Sequence, residues 1–537
     1  MDVRKTMRWL FASEPAVPGR ASYLWPRWIF LRALGLIYFS AFYSLVFQIQ
    51  GLMGPQGIFP VKEYLEAVTS YAGHTRFWFA PTLLWLGSGE RALNVLCWAG
   101  MAAAVLVVLN VWPRGALVVC FLAFLSFVTA AQDFSGYQSD DMLLCAGLVA
   151  MFFAPPGLRP GLGTSRAPSR ASLFLLQWLW FRIYFESGVA KIRGGDPQWR
   201  NLTAMDQYYQ NGPLPTWLGW YAQQLPHGIH AATAFVTLLV EVVLVWMLFL
   251  PRRFRVICFW IVSALEIGII LTANYTFLNY LVLALGFLLL DDEFIERVVP
   301  ARWRAERKEG VATAAAPDGA SGKRGTRLRN IFSWVGLGFA GVILGWVFYA
   351  TTALLLWMVI PELPLPRSPV VALEPFRVAS RFGLFGIMTR NRYEIEFQGS
   401  NDEGKTWTAY PFRYKPQDPQ KTPGIYAPYQ PRFDWNLWFA SLGAWRESPM
   451  VLRTEERLLE GSPAVLSLFA GNPFPSKPPR RVRAVIWQYW FTDRAAKRAT
   501  GAWWRRELLG LYAPEVERGP DGRFGIVNLP EGEKWQP

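Results

Sequence analysis

The chain has little of what catalytic and secreted scaffolds are usually built from. Its 537 residues include three histidines, His74, His227 and His230, and four cysteines, Cys97, Cys120, Cys145 and Cys258. All four cysteines fall in apolar runs without a CxxC spacing, which excludes a disulfide framework. They read as small buried hydrophobes. His227 and His230 stand at i, i+3 without acidic or thiolate companions, so no metal site is expected. P-loop, dinucleotide fingerprint and nucleophile-elbow patterns are missing, and Ser187-Gly188 does not form one. No cofactor is expected. No early apolar segment is followed by a small-residue cleavage site, so the first apolar run is expected to act as an uncleaved insertion signal. Internal repeats are absent too.

Charge is also scarce. Charged residues make up 17% of the chain and hydrophobic ones 52%, against about 25% charged in ordinary soluble domains. The deficit lies in the first two thirds, which marks a polytopic membrane protein with a polar tail. The net charge of +15 does not point to nucleic acid. Its basic residues flank apolar runs, as the positive-inside bias requires, and leave no aromatic-interleaved basic groove. The expected surroundings are a lipid bilayer, with no nucleic-acid partner.

Apolar runs of membrane length predict about nine spans, at 28–49, 93–112, 115–132, 142–156, 172–190, 229–250, 255–273, 277–290 and 332–358. Lys and Arg collect in alternate loops. Arg114, then Arg159, Arg166 and Arg170, then Arg252, Arg253 and Arg255 lie on one side with the basic N-terminus. The loops near 133–141 and 274–276 contain neither residue. This asymmetry puts the N-terminus in the cytoplasm. Loops 50–92 and 191–228 and the tail then face the periplasm of a bacterium or the lumen of a eukaryotic endomembrane. The expected domains are a cytoplasmic segment 1–27, a transmembrane helical domain 28–358 and an extracytoplasmic α+β domain 359–537. A flexible cytoplasmic linker at about 292–331 interrupts the second, its small-residue stretch 309–330 the most flexible part.

In the tail, Tyr393, Ile395 and Phe397 alternate with polar residues as in a strand. Ser400–Trp407 reads as a hairpin turn, although it resembles a single Asp-box-type repeat. Helices are expected at Asp434–Leu442 and Ser462–Phe469, and a strand at Val482–Phe491. Trp435, Trp438, Trp487, Trp490, Trp503 and Trp504 are expected to supply a core, with some left exposed as an apolar patch.

The candidate chemistry sits near span ends. Lys191 and Glu186 lie five residues apart, where a buried amine could serve as a base or simply pair with a carboxylate. Asp140 and Asp141 read as helix-capping acids, with a cation or proton site as the alternative. Glu241 and Glu266 lie inside apolar helices and need a partner or a cavity. Asn274, Tyr275, Asn279 and Tyr280 read as helix-to-helix hydrogen-bonding residues. Asp196-Pro197 could open an interfacial helix, with Trp199 anchored among the headgroups.

Longer strings add a resemblance. Gly54–Pro60, Tyr137–Leu144, Gly195-Asp196-Pro197-Gln198-Trp199-Arg200-Asn201, Trp220–Pro226, Ala427–Trp435, Asn472-Pro473-Phe474 and Trp503–Gly510 follow one another as in the lipase maturation factor family. The resemblance implies a multi-span membrane protein with an extracytoplasmic domain. Its animal members reside in the endoplasmic reticulum and help certain dimeric lipases fold and assemble. It nominates Asp196, Trp199, Arg200, Asn201, Trp220, Gln224, Gln430, Arg432, Asp434 and Trp435 as motif or binding residues. The chain departs from the family pattern at Cys145, where an acidic residue is expected. High Arg and Ala usage and compact loops suggest a bacterial member. The membrane part is also distantly similar to the vitamin K-dependent γ-carboxylase type, which would make Lys191, after Phe185 and Gly188, a base. Three functions are weighed, of which transport through the bundle, with Glu241 and Glu266 in the path, ranks lowest. The leading one is a non-enzymatic folding or assembly factor for secreted lipases or other exported proteins. The alternative is a membrane enzyme or lipid-handling protein using Lys191.

Overall fold

The computed structural model describes residues 3–17, 22–315, 326–519 and 521–530. Among the described residues, six helices are long and apolar enough to cross a membrane. They are α1 (Leu24–Val46), α2 (Glu90–Val108), α3 (Pro113–Ala130), α6 (His227–Val242, prolonged by a 3-10 turn Leu244–Phe249), α7 (Arg252–Thr272) and α9 (Thr326–Val359). The other three predicted segments are helical but shorter or more charged. They are α4 (Gln138–Phe153), α5 (Arg170–Arg193) and α8 (Leu278–Gly286, with its 3-10 extension to Leu289). Helix ends follow local chemistry. Ser169 caps α5 by accepting the Ser172 amide, and Pro113 stands in the first turn of α3, where its missing N–H leaves no bond unmade. Gly100 lets α1 and α2 close up: a Cβ there would lie 2.3 Å from the Phe42 ring.

Of the stretch expected to be a linker, residues 301–315 form a helix, and 316–325 lie outside the described residues.

Beyond α9 the chain forms an antiparallel sheet from β1 (Arg392–Ser400), β2 (Thr408–Ala409), β3 (Arg481–Phe491), β4 (Trp504–Leu511), β5 (Glu515–Arg518) and β6 (Phe524–Asn528). β1 lies between β2 and β3, with Ile395 opposite Ile486. The far edge of β3 pairs first with β5, at Arg481 and Val482, and then with β4 from Val485 to Phe491, with a register shift at Ile486/Trp487. β6 completes the order beyond β5. Helix α10 (Arg432–Ala440) packs on β1, and α11 (Pro449–Glu460) on β3 and β5. The expected strand and the first expected helix appear within a few residues of their predicted ends. The expected helix 462–469 shrinks to Pro463–Leu466, capped by Ser462.

The strand expected around Tyr393, Ile395 and Phe397 forms, and one sequence reading changes. The alternation on β1 does not separate core from water, because Glu394 and Glu396 are buried as well as Tyr393, Ile395 and Phe397. Both faces of this strand are covered, and the carboxylates are met by cations: Glu394 pairs with Arg392 and with Lys415 at 2.8 Å. Nor do the tryptophans form an exposed patch. Trp435, Trp438 and Trp504 are buried, and Trp487, Trp490 and Trp503 lie under Arg506, Arg505 and Lys497.

One apolar core runs without a break from Phe30 and Leu34 in α1 through Phe382 to Ile395, Ile486 and Val516 in the sheet. The sheet domain is therefore packed into one end of the helical bundle. That end carries the loops near 54–60, 133–137, 194–224 and 274–276. At the opposite end Arg27 donates to the carbonyls of Leu162, Gly163 and Arg166. There Asp292 receives Ser22, the Trp25 amide and Arg307.

Candidate functional site

Several of the candidate residues, Glu186, Lys191, Asp196 and Trp199, converge on a short strap, Ser380–Thr389, which lies between α9 and β1 in the chain and runs across the end of α5. Its backbone is held almost residue by residue. Arg182 donates to the Ser380 carbonyl at 2.6 Å and to Glu186 at 2.6 Å, and Glu186 accepts the Phe382 amide at 2.7 Å. Gln138 accepts the Gly383 amide, and Ser187 the Leu384 amide. Lys191 donates to the Leu384 carbonyl at 2.8 Å, Trp199 Nε1 to the Phe385 carbonyl at 2.9 Å, and Asn211 to the Thr389 carbonyl at 2.8 Å. Asp196 accepts the Met388 amide at 2.7 Å while its other oxygen caps a helical turn through the Gln198 amide.

Helical spacing explains the division of labour. Arg182 and Glu186, four apart on α5, share one face and form one buried pair. Lys191, five residues beyond Glu186, points elsewhere. It meets Glu241 of α6 at 2.8 Å, so the expected Lys191–Glu186 partnership is not formed. Gly188 permits that meeting, since a Cβ there would lie 2.7 Å from Val242 and 3.0 Å from Glu241 Cβ. A charge this deep needs its counter-ion in contact. Lys191 does not snorkel to the interface; it is buried.

Further clamps bind the sheet domain. Arg432 on α10 is buried and grips Asp140 with both guanidinium ends, at 2.7 and 2.8 Å, while also donating to the Phe134 carbonyl. Asp140 is thus a counter-ion and not a helix cap: the N-cap of α4 is Tyr137, with no side-chain capping bond. Its neighbour Asp141 lies 3.6 Å from Arg377. Arg392 donates to the carbonyls of Gln210, Gly212 and Pro213. Asn274 uses both amide atoms, accepting the Tyr426 and Ala427 amides and donating to the Leu214 and Gly424 carbonyls. Tyr280 donates to the Ala427 carbonyl. Of the polar patch read as joining helices, only Asn279 does so, reaching Glu266 at 2.7 Å; Tyr184 donates to the same carboxylate.

The remaining nominated residues divide. Trp199 is buried under the strap and not at a headgroup surface. Trp220 is buried against Trp503, and Gln224 donates to the Thr492 carbonyl. Gln430 is buried and offers its backbone carbonyl to Gln48. Trp435 packs edge-on to Tyr137. Asp434 accepts the Tyr414 and Lys415 amides, and burial nevertheless raises its pKa to about 6. Arg200 and Asn201 stay exposed and take no part in the strap. His227 touches Asp206, and His230 packs on Tyr209. Among the described residues no group of His, Cys, Asp or Glu converges as a metal site would. The turn at 400–407 is closed by Asp402, which accepts the Thr406 amide and hydroxyl and whose pKa is lowered to about 2 by those bonds.

The strap was invisible to sequence reasoning, as were Arg182, Asn211 and Arg392, and Gln138 was seen only as part of the Tyr137–Leu144 string. One signal was available, because Arg182 is a charge inside an apolar span and demands a partner. The strap itself offers only Gly383 and Gly386, which lie close over Ala190.

Two family models match the chain in order. The lipase maturation factor transmembrane domain matches residues 25–297, and the lipase maturation factor C-terminal domain residues 378–514. The chain belongs to the lipase maturation factor family. Lipase maturation factor 2 of Gallus gallus is 31% identical over 94% of this chain and 83% of its own length. Lipase maturation factor 1 of Bos taurus is 28% identical over 93% and 90%. Lipase maturation factor 2 of Homo sapiens is 29% identical over 92% and 83%. No solved structure matches the chain significantly. The two family domains meet at the strap and its clamps, so most of the motif residues of this family member hold one domain on the other.

Proposed function

We propose that this protein is a membrane-anchored folding or assembly factor for exported proteins, with secreted lipases as its first clients. The observation that supports it most directly is the ordered match of both lipase maturation factor domains in one chain. The reading takes all nine apolar segments as membrane-inserted, the N-terminus as cytoplasmic and the sheet domain as periplasmic or lumenal. Supporting that orientation, the Lys- and Arg-poor loops near 133–141 and 274–276 lie at the bundle end that carries the sheet domain, and the arginine-rich loops at the other.

A client surface must be accessible, which disfavours the buried motif residues. The apolar side chains that remain exposed on the sheet domain include Leu508 on β4 and Phe524, Ile526 and Val527 on β6. β6 is a sheet edge exposed along its whole length, and such an edge can add a strand of an unfinished chain. The test is a deletion strain complemented with the wild-type protein or with Phe524→Asp/Ile526→Asp. The expected result is lower specific activity of secreted lipases in the deletion strain, restored by wild type and not by the double variant, whose thermal stability stays unchanged. Equal activity of every secreted lipase with and without the protein would remove the client reading.

A further inference from the structure

Between α6 and α7 a groove of about 280 Å³ opens sideways from the helical bundle. The two helices that flank it carry Phe235, Val236, Ile267 and Leu271, all exposed and apolar, as surfaces facing lipid tails are. Its floor is different. There the groove reaches Glu241, Lys191, Trp199 and Phe385 of the strap, and its wall includes Thr233 and Thr237. Its volume is at the lower edge of the roughly 300–1,000 Å³ range of small-molecule sites.

The chemistry at the floor is unequal. Lys191 spends its ammonium on Glu241 Oε1 and the Leu384 carbonyl. Glu241 is 8% exposed, and its Oε2 has no hydrogen-bond donor among the described residues. The hydroxyls of Thr233 and Thr237 donate to the helix carbonyls of Ile229 and Thr233, so their oxygens too face outward as acceptors. A buried acceptor without a donor is unfavourable. An occupant is therefore selected for a donor head. A phosphate head meets a carboxylate oxygen, with the neighbouring ammonium already engaged. An amine head brings a second cation beside Lys191, and like charges at that distance repel. A neutral hydroxyl meets neither objection.

We propose that this groove binds a single-chain neutral lipid with a free hydroxyl head, its chain lying between α6 and α7 and its hydroxyl donating to Glu241 Oε2. The site is independent of any client. Because Phe385 and Lys191 belong both to the groove and to the strap contacts, an occupied groove adds packing to the point where the two domains join.

The test uses the full-length protein in phosphatidylcholine nanodiscs and a monoacylglycerol carrying a chain diazirine. The expected labelling falls in 229–242 and 264–272 and is competed by unlabelled monoacylglycerol, but not by its methyl ether or by an alkylamine. Gly268→Leu is the informative variant. Gly268 lines the groove, a Cβ there meets nothing within 4 Å, and leucine is the better helix former. It is expected to reduce labelling about tenfold, the effect of roughly 1.4 kcal/mol. Glu241→Gln is expected to abolish the preference for hydroxyl over methyl ether. Labelling unchanged by Gly268→Leu, or competed equally by the ether, overturns the proposal. Where Glu241→Gln does not fold, the Gly268→Leu and ether arms decide alone.

Discussion

At the scale of single residues, buried charge governs this molecule. Arg432 and Asp140 are both sealed from solvent and bound at two points. Removing one partner leaves the other charged and unmatched, at a penalty of roughly 3–5 kcal/mol. Arg432→Ala is therefore expected to lower the unfolding temperature of the detergent-solubilised protein sharply. Arg432→Met combined with Asp140→Leu should recover much of the loss, which a double-mutant cycle followed by thermal unfolding will measure. Lysine is not a substitute, since it lacks the fork that spans both carboxylate oxygens.

Asp434 gives a pH signature. Its folded pKa, about 6, lies above the ordinary aspartate value of 3.8 because burial disfavours the charged form. Above the unfolded pKa the native state then holds more protons than the unfolded one. Stability from this group is greatest in acid and falls as pH rises from about 4 to about 6, by on the order of 2–3 kcal/mol. Glu455, buried on α11 with its pKa well above the usual range, acts in the same direction. Unfolding temperatures of Asp434→Asn, measured between pH 4 and pH 8, should vary less than those of wild type. An equal pH dependence would show that Asp434 is not the titrating group.

At the scale of elements, the strap is the unit to probe. Among the described residues Ser380–Thr389 has no strand partner, yet its Phe382, Gly383, Leu384 and Met388 amides all donate to side chains of the helical domain. Hydrogen exchange is expected to find these amides as protected as those of the sheet. Asp196→Ala should speed exchange at Met388 by the loss of one charged hydrogen bond, roughly 1.5–3 kcal/mol, and leave β1 protected. A strap that exchanges freely in wild type would contradict the geometry. The Asp-Pro-x-Trp string was legible as a helix start, and Asp196 does cap that turn. Its second task, holding the Met388 amide nearly two hundred residues away, has no local signature.

At the scale of the whole molecule, the helical domain and the sheet domain share one core and several ionic clamps. Residues 1–359 alone would expose Asp140, Glu186 and Lys191 without Arg432, the strap amides or the Leu384 carbonyl. Such a truncation is expected to aggregate or be degraded, visible as loss of a monodisperse peak on size-exclusion chromatography. Stable, monodisperse accumulation would mean that the clamps contribute little. For the same reason a deletion of the sheet domain is a poor test of client binding, and surface changes on β6 are the cleaner one.

Local chemistry was enough for much of this protein. Apolar runs of membrane length, alternation in the tail and motif strings with distinctive Pro, Trp and Arg spacing depend on residues close together in the chain. They gave the helical membrane part, the sheet domain and the family. The partners of the charged residues could not be read this way. Lys191 could have met Glu186, its near neighbour, and instead meets Glu241 fifty positions on, because five residues of helix turn the two side chains apart. Asp140 looked like a cap and became the counter-ion of Arg432. A buried charge takes whichever opposite charge the fold brings to it, and only the packing of the strap and α10 onto the bundle end decides which one that is.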